Sequence, residues 1–325
     1  MDGKSHPRSG RGGHAAIRNT KPFKRSDWKS QRRGIMEEHI LEIRGLVKRF
    51  KHFLLGPIDI SVPKGAIYGL VGPNAAGKTT TIDLIMGLGK EDEGTINVFG
   101  MDHRKEEVKV KQRIGYVSPD LSYNPWRTVK RLVYFIRQFY PDWDDNYCEH
   151  LLHQLGLGWD ESIPSMSFGS KIKLAVTMAL SHHPDLLLLD EPTIGVDAVS
   201  KQQIFSELLA AVQDENHTVV ISSHGLADLE RFADHIGIIN QGNMLLEGRM
   251  DSMVERYKRI DFEYGDSTSI LPITGLFAQQ RTGNRWNAIV DTQNGTIEAL
   301  QKQGAQNITQ TPVTLEELFI GLVKE

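Results

Sequence analysis

The sequence has little of what covalent crosslinks or membrane insertion require. Cys148 is the only cysteine among 325 residues, which excludes an intrachain disulfide and a cysteine-rich metal site. No apolar run is long enough to cross a bilayer, and the basic N-terminal stretch lacks the apolar core of a signal peptide. The net charge of -3 gives no general attraction to nucleic acid or to a membrane surface. We therefore expect a protein of the cytoplasm.

The composition is that of a folded protein except at the N-terminus. The chain is long enough for one large α/β domain and a smaller appendage. Residues 1–35 hold ten lysines and arginines against two aspartates, and they bury too little apolar surface to order themselves. We interpret them as an unstructured tail, or as an artefact of a start codon placed upstream of Met36. The alternative is a basic arm for anionic lipid or nucleic acid.

Residues 72–79 fit G-x-x-x-x-G-K-[ST], the pattern of a phosphate-binding loop. A buried strand is predicted before them at 66–71 and a helix after them at 79–86, which is the setting that the motif requires. Backbone N–H groups and the helix N-terminus would bind the phosphates of ATP. Lys78 would reach the β- and γ-phosphates, and the Thr79 hydroxyl would ligate Mg²⁺. The alternative is a glycine turn that happens to precede Lys-Thr. The predicted nucleotide-binding residues here are Gly72, Pro73, Asn74, Ala75, Ala76, Gly77, Lys78, Thr79 and Thr80.

A second acidic element follows about a hundred residues later. Residues 186–189 are four leucines, which predict a buried strand, and Asp190 and Glu191 come directly after it. Asp190 would hold Mg²⁺, and Glu191 would orient the attacking water as a general base. Two surface carboxylates after a core strand are the alternative. The spacing to the phosphate loop is typical of P-loop ATPases, and it favours the functional interpretation.

Strands and helices alternate from residue 38 to about residue 248. The alternation predicts an α/β fold, with a parallel sheet covered by helices on both faces. Further helices are predicted at 105–113, at 226–235 and over most of 124–158. Residues 250–325 are predicted to form a smaller α+β unit, whose last helix opens with the capping box at 314–317.

Five motifs stand in a fixed order along the chain: 72–79, Ser167-x-Gly169, Asp190-Glu191, Gly195-Val196-Asp197 and Ser223-His224. This succession resembles the ATPase subunit of an ABC transporter, over about residues 38–248. The resemblance implies a P-loop NTPase core with an antiparallel β subdomain, a helical subdomain at about 120–182 and a small α+β C-terminal extension at 250–325.

The resemblance also implies roles for residues outside the phosphate loop. Phe50 matches the aromatic residue that stacks on adenine, although an ordinary core phenylalanine would fit as well. Asp197 matches the aspartate that lines the contact between two subunits. His224 matches the switch histidine that bonds the γ-phosphate. A lone histidine is more often structural, but its position after the stretch 219–223 favours the switch role.

Two departures from the family pattern concern the signature and the Q-loop. Residues 166–171 read Met-Ser-Phe-Gly-Ser-Lys where the family usually has Leu-Ser-Gly-Gly-Gln. Ser167 and Gly169 are kept, so a hydroxyl and N–H groups at a helix N-terminus can still meet ATP held by a partner subunit. Pro119 stands where the family usually has glutamine, and it offers no side-chain amide to Mg²⁺ or water. We hypothesise that Asp120 substitutes for that glutamine.

The function implied is that of a bacterial exporter's ATPase subunit at the cytoplasmic face of the membrane. Two copies, or one copy and a second ATPase subunit, would sandwich two ATP molecules and move a separate multi-span permease. The divergent signature and the C-terminal unit resemble those of antibiotic exporters and bacteriocin-immunity proteins.

Two other functions stay open. A soluble ABC ATPase acting on nucleic acid or the ribosome is disfavoured, because the chain has no long coiled coil and only one ATPase unit. A regulatory partner with weak hydrolysis is disfavoured by the presence of Lys78, Glu191 and His224, although Pro119 supports it.

Overall fold

A computed structural model describes residues 38–120, 122–213, 217–226, 229–230, 232–265, 271 and 273–323. The tail predicted at 1–35 lies outside these residues. Among the residues described, none of the helices combines the length and apolar character needed to cross a membrane.

Within the part of the chain that the structure describes, the strands form three sheets. In chain order the strands are β1 (His39–Arg49), β2 (Leu54–Pro63), β3 (Ile67–Val71), β4 (Glu93–Val98), β5 (Met101–Asp102), β6 (Ile114–Val117), β7 (Leu186–Leu189), β8 (Thr218–Ser223), β9 (His235–Asn240), β10 (Asn243–Arg249), β11 (Tyr257–Glu263), β12 (Leu276–Thr282), β13 (Arg285–Asp291) and β14 (Gln306–Pro312).

The α-helices alternate with these strands and cover the sheets. They are α1 (Lys78–Ile85), α2 (Glu107–Lys111), α3 (Val129–Ile136), α4 (Asp145–Gln154), α5 (Phe168–Leu180), α6 (Ala198–Gln213), α7 (Met250–Arg256), α8 (Thr296–Lys302) and α9 (Leu315–Val323).

The central sheet has the strand order β10-β9-β3-β8-β7-β6. All its strands are parallel except β10, which forms an antiparallel hairpin with β9. The carboxyl ends of β3, β7 and β8 therefore meet at one edge of the sheet, where ligands bind in open α/β folds. The sequence motifs at 72–79 and 190–191 directly follow β3 and β7, and the motif at 223–224 begins with the last residue of β8.

Both faces of the central sheet are buried, as its continuous apolar strands require. Leu186 and Leu188 pack into a core with α1 and the antiparallel sheet β2-β1-β4-β5. Leu187 and Leu189 pack into a second core with α3, α4 and α5. The expectation of helices on both faces is therefore incomplete, because one face is covered largely by strands.

The C-terminal residues build a third, antiparallel sheet with the order β12-β13-β11-β14. Leu300 of α8 packs with Phe262 and Trp286 in a hydrophobic core that belongs to this third sheet. The predicted capping box opens α9, since Thr314 N donates to Glu317 Oε2 at 2.9 Å and Glu317 N donates to Thr314 Oγ1 at 3.2 Å. The domain boundary near residue 248 stays a prediction.

Several predicted elements have different limits in the structure. The stretch 124–158 contains two separate helices, because Pro141 follows Tyr140, which has an extended backbone. The helix predicted at 105–113 is the shorter α2. The helix predicted at 226–235 is wrong for its described residues, which form turns before His235 pairs with Tyr68 in β9.

Candidate functional site

The phosphate loop joins β3 to α1, as the motif predicts. Ala75 and Gly77 have positive φ angles of 62° and 114°, so the chain turns sharply before the helix. A Cβ atom on Gly72 would collide with Ile239 O, and one on Gly77 would lie 2.6 Å from Leu55 Cδ1. Only glycine fits at both positions. No side chain caps α1, so its first N–H groups face the concave loop. This backbone cradle suits a phosphate chain.

The other predicted residues of the loop complete the turn. Ala76 N donates to Pro73 O at 3.2 Å, which closes the turn through the exposed Asn74 and Ala75. Thr80 is partly buried in the first turn of α1. The turn leaves the backbone of 73–77 wrapped around a single concave surface.

Lys78 is the buried cation of the site, with only 5% of its surface exposed. Its Nζ atom donates to Gly72 O at 2.8 Å and Pro73 O at 3.1 Å, and it forms an ion pair with Glu191 Oε1 at 3.2 Å. The ammonium group therefore lies across the mouth of the phosphate loop and links it to β7.

Asp190 lies at the carboxyl end of β7 and is 1% exposed. Its Oδ2 atom accepts from Thr79 Oγ1 at 2.7 Å, and its Oδ1 atom accepts from Ser222 Oγ at 2.6 Å. Thr79 and Asp190 thus present adjacent oxygen ligands beside the phosphate loop. Oxygen ligands are what Mg²⁺ prefers, so these residues fit a magnesium ion shared with a nucleotide.

Glu191 and His224 lie side by side at the same edge of the sheet. His224 Nδ1 is 2.8 Å from Glu191 Oε2. Glu191 has a positive φ of 44°, and its carboxylate shares no hydrogen-bond partner with that of Asp190 within the described residues. Its backbone N–H donates to Ser222 Oγ at 2.9 Å. The glutamate side chain is 12% exposed and the histidine 54%, so solvent reaches this pair from the histidine side.

Ser222 is the residue that the sequence analysis missed. Its hydroxyl bonds both Asp190 and the backbone of Glu191, and it directly follows the three apolar residues 219–221 of β8. A polar residue at the end of an apolar strand, two positions before the predicted switch histidine, was the available signal. The sequence did not reveal its partners because β7 and β8 meet only in the sheet.

Phe50 lies outside this cluster, at the end of β1. It is 51% exposed, and its ring centroid is 6.2 Å from that of Phe53. Phe53 Cζ would in turn lie 3.3 Å from a Cβ atom on Gly77. Phe53 therefore lies between the phosphate loop and the exposed ring of Phe50, on which an adenine base could stack.

Ser167, Gly169 and Asp197 form a separate group near the starts of α5 and α6. Ser167 caps α5 by accepting from Ser170 N at 3.0 Å. Asp197 Oδ1 accepts from Val199 N and Ser200 N at 3.0 Å each, and these backbone bonds lower the pKa of Asp197. A Cβ atom on Gly169 would lie 3.9 Å from Val196 Cγ1, so the two segments are neighbours. Among the bonds of the described residues, none joins this group to Lys78 or Asp190.

Acidic and hydroxyl side chains also gather beside the end of β6. Tyr116 Oη donates to Asp83 Oδ1 at 3.3 Å. Burial, and then the charges of Asp190 and Asp120, raise the pKa of Asp83. Burial raises the pKa of Tyr116 to about 12. This polar group is therefore close enough to Asp190 to feel its charge.

A basic cavity of about 620 Å³ lies on the helical part of the protein. It is lined by Arg127, Thr128, Lys130, Arg131, Tyr134 and Asp160. The three cations are exposed, and in the described part of the chain none of them makes an ion pair. Phe135 and Phe139 are also exposed, with ring centroids 5.1 Å apart. The surface around α3 thus combines positive charge with exposed aromatic rings.

Comparisons with known proteins identify the family of the chain. The ABC transporter family model matches residues 55–194. The bacitracin transport ATP-binding protein BcrA of Bacillus licheniformis is 32% identical over 281 residues, which cover 82% of this chain and 91% of that protein. The ABC transporter ATP-binding protein YtrB of Bacillus subtilis is 28% identical over 285 residues, which cover 87% and 97%.

A solved structure of an ATP-binding subunit of an ABC transporter has the same fold. Its TM-score is 0.61 at 23% identity, over 66% of this chain and 92% of that one. The family expected from the order of the motifs is therefore confirmed, and the chain belongs to the ATP-binding proteins of ABC transporters, the ATPase components of transport systems.

Proposed function

We propose that the chain hydrolyses ATP between its phosphate loop and Glu191 and thereby drives a separate membrane permease, in the direction of export. One observation carries the proposal: a buried lysine, a threonine–aspartate pair and a glutamate–histidine pair converge at one edge of the central sheet. A phosphate chain, a divalent cation and an attacking water need these three kinds of group together.

Each of these groups would have a separate role in ATP hydrolysis. The backbone of 72–77 and the N-terminus of α1 bind the phosphates. Lys78 can turn its donors from the loop carbonyls and Glu191 to phosphate oxygens. Thr79 and Asp190 would hold Mg²⁺, and the ion would supply positive charge that neutralises the phosphates. Glu191, freed from the lysine, accepts the proton of water. His224 keeps Glu191 oriented and presents its other ring nitrogen to the γ-phosphate.

A second copy of the chain, or a related subunit, would complete the site. Ser167, Gly169 and Asp197 do not reach this chain's own phosphate loop, so the nucleotide they meet is one held by a partner. Exposed apolar side chains beside them support an interface on this surface. Those side chains are Phe168 (43% exposed), Ile194 (39%) and Val199 (69%).

We further propose that the membrane permease contacts the basic cavity with an acidic segment, which would hold the chain at the cytoplasmic face of the membrane. Arginine, tyrosine and other aromatic residues are enriched at protein interfaces. The exposed cations of the cavity have no ion-pair partner within the described residues.

The bacitracin transport relative favours a peptide antibiotic as the cargo.

Co-purification with the permease tests the partner. The pair Lys130→Glu and Arg131→Glu should abolish co-purification and leave ATP binding intact, because the cavity is separate from the phosphate loop. The matched control reverses Lys105 and Lys109, two exposed lysines next to and within α2. Equal loss in both double variants would contradict the assignment of the cavity.

ATP turnover tests the catalytic proposal. The purified chain should hydrolyse ATP only with Mg²⁺, and Lys78→Ala should abolish both binding and turnover, because the loop loses its only buried cation. Lys105→Ala, which removes a lysine from the surface, serves as the control. A Lys78→Ala variant that still hydrolyses ATP at the wild-type rate would contradict the proposed site.

A further inference from the structure

Pro119 leaves the magnesium side of the site without the amide that the family pattern supplies at this position. The residue follows β6 and has no side-chain donor or acceptor. Its neighbour Asp120, the substitute suggested by the sequence, is exposed. The Asp120 backbone N–H bonds Ser118 Oγ at 3.3 Å, and no hydrogen bond of the Asp120 carboxylate occurs within the described residues. Within the described residues, nothing therefore holds the Asp120 carboxylate in a fixed position beside the metal site.

Asp83 occupies a position better suited to that task. It lies four residues after Thr79 on α1, so both side chains project from the same face of the helix. Tyr116 Oη donates to Asp83 Oδ1 at 3.3 Å, which fixes the orientation of the carboxylate. Tyr116 pairs with Leu188, two residues before Asp190, so α1, β6 and β7 bring these groups to the same corner.

We propose that Asp83, oriented by Tyr116, is a positioning residue for the magnesium site: it accepts hydrogen bonds from water that hydrates the metal beside Thr79 and Asp190, in place of the glutamine that Pro119 replaces. The inference rests on the proposed function, since it assumes that Mg²⁺ and a nucleotide bind at the phosphate loop.

The chemistry of a carboxylate suits this role. Mg²⁺ usually keeps several of its waters, and each bound water needs an acceptor for its protons. The Tyr116 hydroxyl bonds Oδ1 of Asp83 and leaves Oδ2 as an acceptor. The negative charge of Asp83 also raises the affinity of the corner for a divalent cation. Without a cation, the charges of Asp83 and Asp190 repel each other.

Metal affinity, rather than turnover, tests the inference. The probe is Mn²⁺, titrated by electron paramagnetic resonance into the full-length protein saturated with ADP. Asp83→Asn should weaken Mn²⁺ binding about tenfold, as expected for loss of an outer partner of a metal site. ADP affinity in EDTA should stay within about twofold of the wild type, because the phosphate loop is untouched. Tyr116→Phe should weaken Mn²⁺ binding about fivefold, the equivalent of one hydrogen bond.

Two further variants show whether the loss of Mn²⁺ affinity is specific to Asp83. Asp120→Asn tests the competing residue, and Asp142→Asn is a control that removes an exposed carboxylate between α3 and α4. Both should leave Mn²⁺ affinity within about twofold of the wild type. The inference is overturned if Asp83→Asn and Tyr116→Phe bind Mn²⁺ like the wild type, or if Asp120→Asn causes the larger loss.

Folding and the proposed function are checked separately. Asparagine keeps an acceptor for Tyr116, and circular dichroism identifies any variant that is unfolded. If Asp83→Asn does not fold, Tyr116→Phe alone decides, since it keeps the carboxylate and removes only the bond that orients it. A folded wild-type protein that binds neither ADP nor ATP would refute the proposed function itself, and this inference with it.

Discussion

Ser222 connects Asp190, the proposed metal ligand, with Glu191, the proposed general base, through a single buried hydroxyl. Its Oγ atom donates to Asp190 Oδ1 at 2.6 Å and accepts from Glu191 N at 2.9 Å. Ser222→Ala removes both bonds and changes no charge. Asp190 keeps its bond from Thr79, whereas the backbone N–H of Glu191 loses its acceptor.

The expected size of the effect follows from these two bonds. A hydrogen bond to a charged group contributes about 1.5–3 kcal/mol, and a buried donor left without an acceptor costs about 1–3 kcal/mol. Because Asp190 keeps one partner, we expect the free energy of unfolding to fall by about 2–4 kcal/mol. Glu191 would also lose its anchor, and a displacement of about 1 Å at a catalytic group can lower turnover about 100-fold.

Three measurements on the same variant separate these effects. Urea denaturation gives the free energy of unfolding, steady-state kinetics give kcat, and equilibrium titration gives ATP affinity, which should stay within about threefold because the phosphate loop is intact. Ser223→Ala is the control. Among the described residues the Ser223 hydroxyl bonds only the backbone of Gly225, so its loss should change stability by less than about 0.5 kcal/mol. The reasoning fails if Ser222→Ala turns over ATP at the wild-type rate, or if Ser223→Ala shows the same loss.

Three further outcomes are expected. Glu191→Gln should lower ATP turnover at least about 100-fold, because an amide cannot accept the proton of water. Dimers of this variant should accumulate with ATP in size-exclusion chromatography. Turnover at the wild-type rate would exclude Glu191 as the base. Arg256→Ala should lower the free energy of unfolding by about 3 kcal/mol at pH 7, because it leaves Asp291, whose side chain is 2% exposed, without its cation. Arg256 lowers the pKa of Asp291, so this stability is present above the unfolded pKa of about 3.9. The difference in the free energy of unfolding between the wild type and Arg256→Ala, measured by urea denaturation, should therefore disappear as the pH falls below about 4. A difference that stays constant with pH would contradict the pairing. Phe50→Ala should weaken ATP binding about fivefold and leave binding of inorganic triphosphate unchanged, because stacking contributes about 1 kcal/mol, and equal losses for both ligands would argue against stacking.

The sequence analysis succeeded best where a few adjacent residues dictate the backbone. The strand–loop–helix unit at 66–86 is present because glycines permit the turn that the phosphate loop requires. The capping box at 314–317 is equally local. By contrast, β12 and β14 were missed, because neither strand shows an apolar residue at every second position. β14 is exposed along nearly its whole length, and β12 is rich in glutamine.

The residues that complete the candidate site depend on contacts between distant elements. Ser222 binds groups about thirty residues away, and Asp83 meets Tyr116 across a similar separation. The departure at Pro119 directed attention to its neighbour Asp120, whereas α1 brings a different carboxylate to the same corner. No periodicity or motif records such contacts.

Alone, the sequence determined the family, the position of the phosphate loop and the two carboxylates after the leucine strand, because these depend on residue order and on backbone geometry over a few positions. Only the tertiary structure decided that Ser222 and Asp83 lie beside Asp190, and that Ser167 and Asp197 belong to a separate surface. The physical reason is that side chains distant in sequence become neighbours through the parallel register of β3, β7 and β8 and the packing of helices against them.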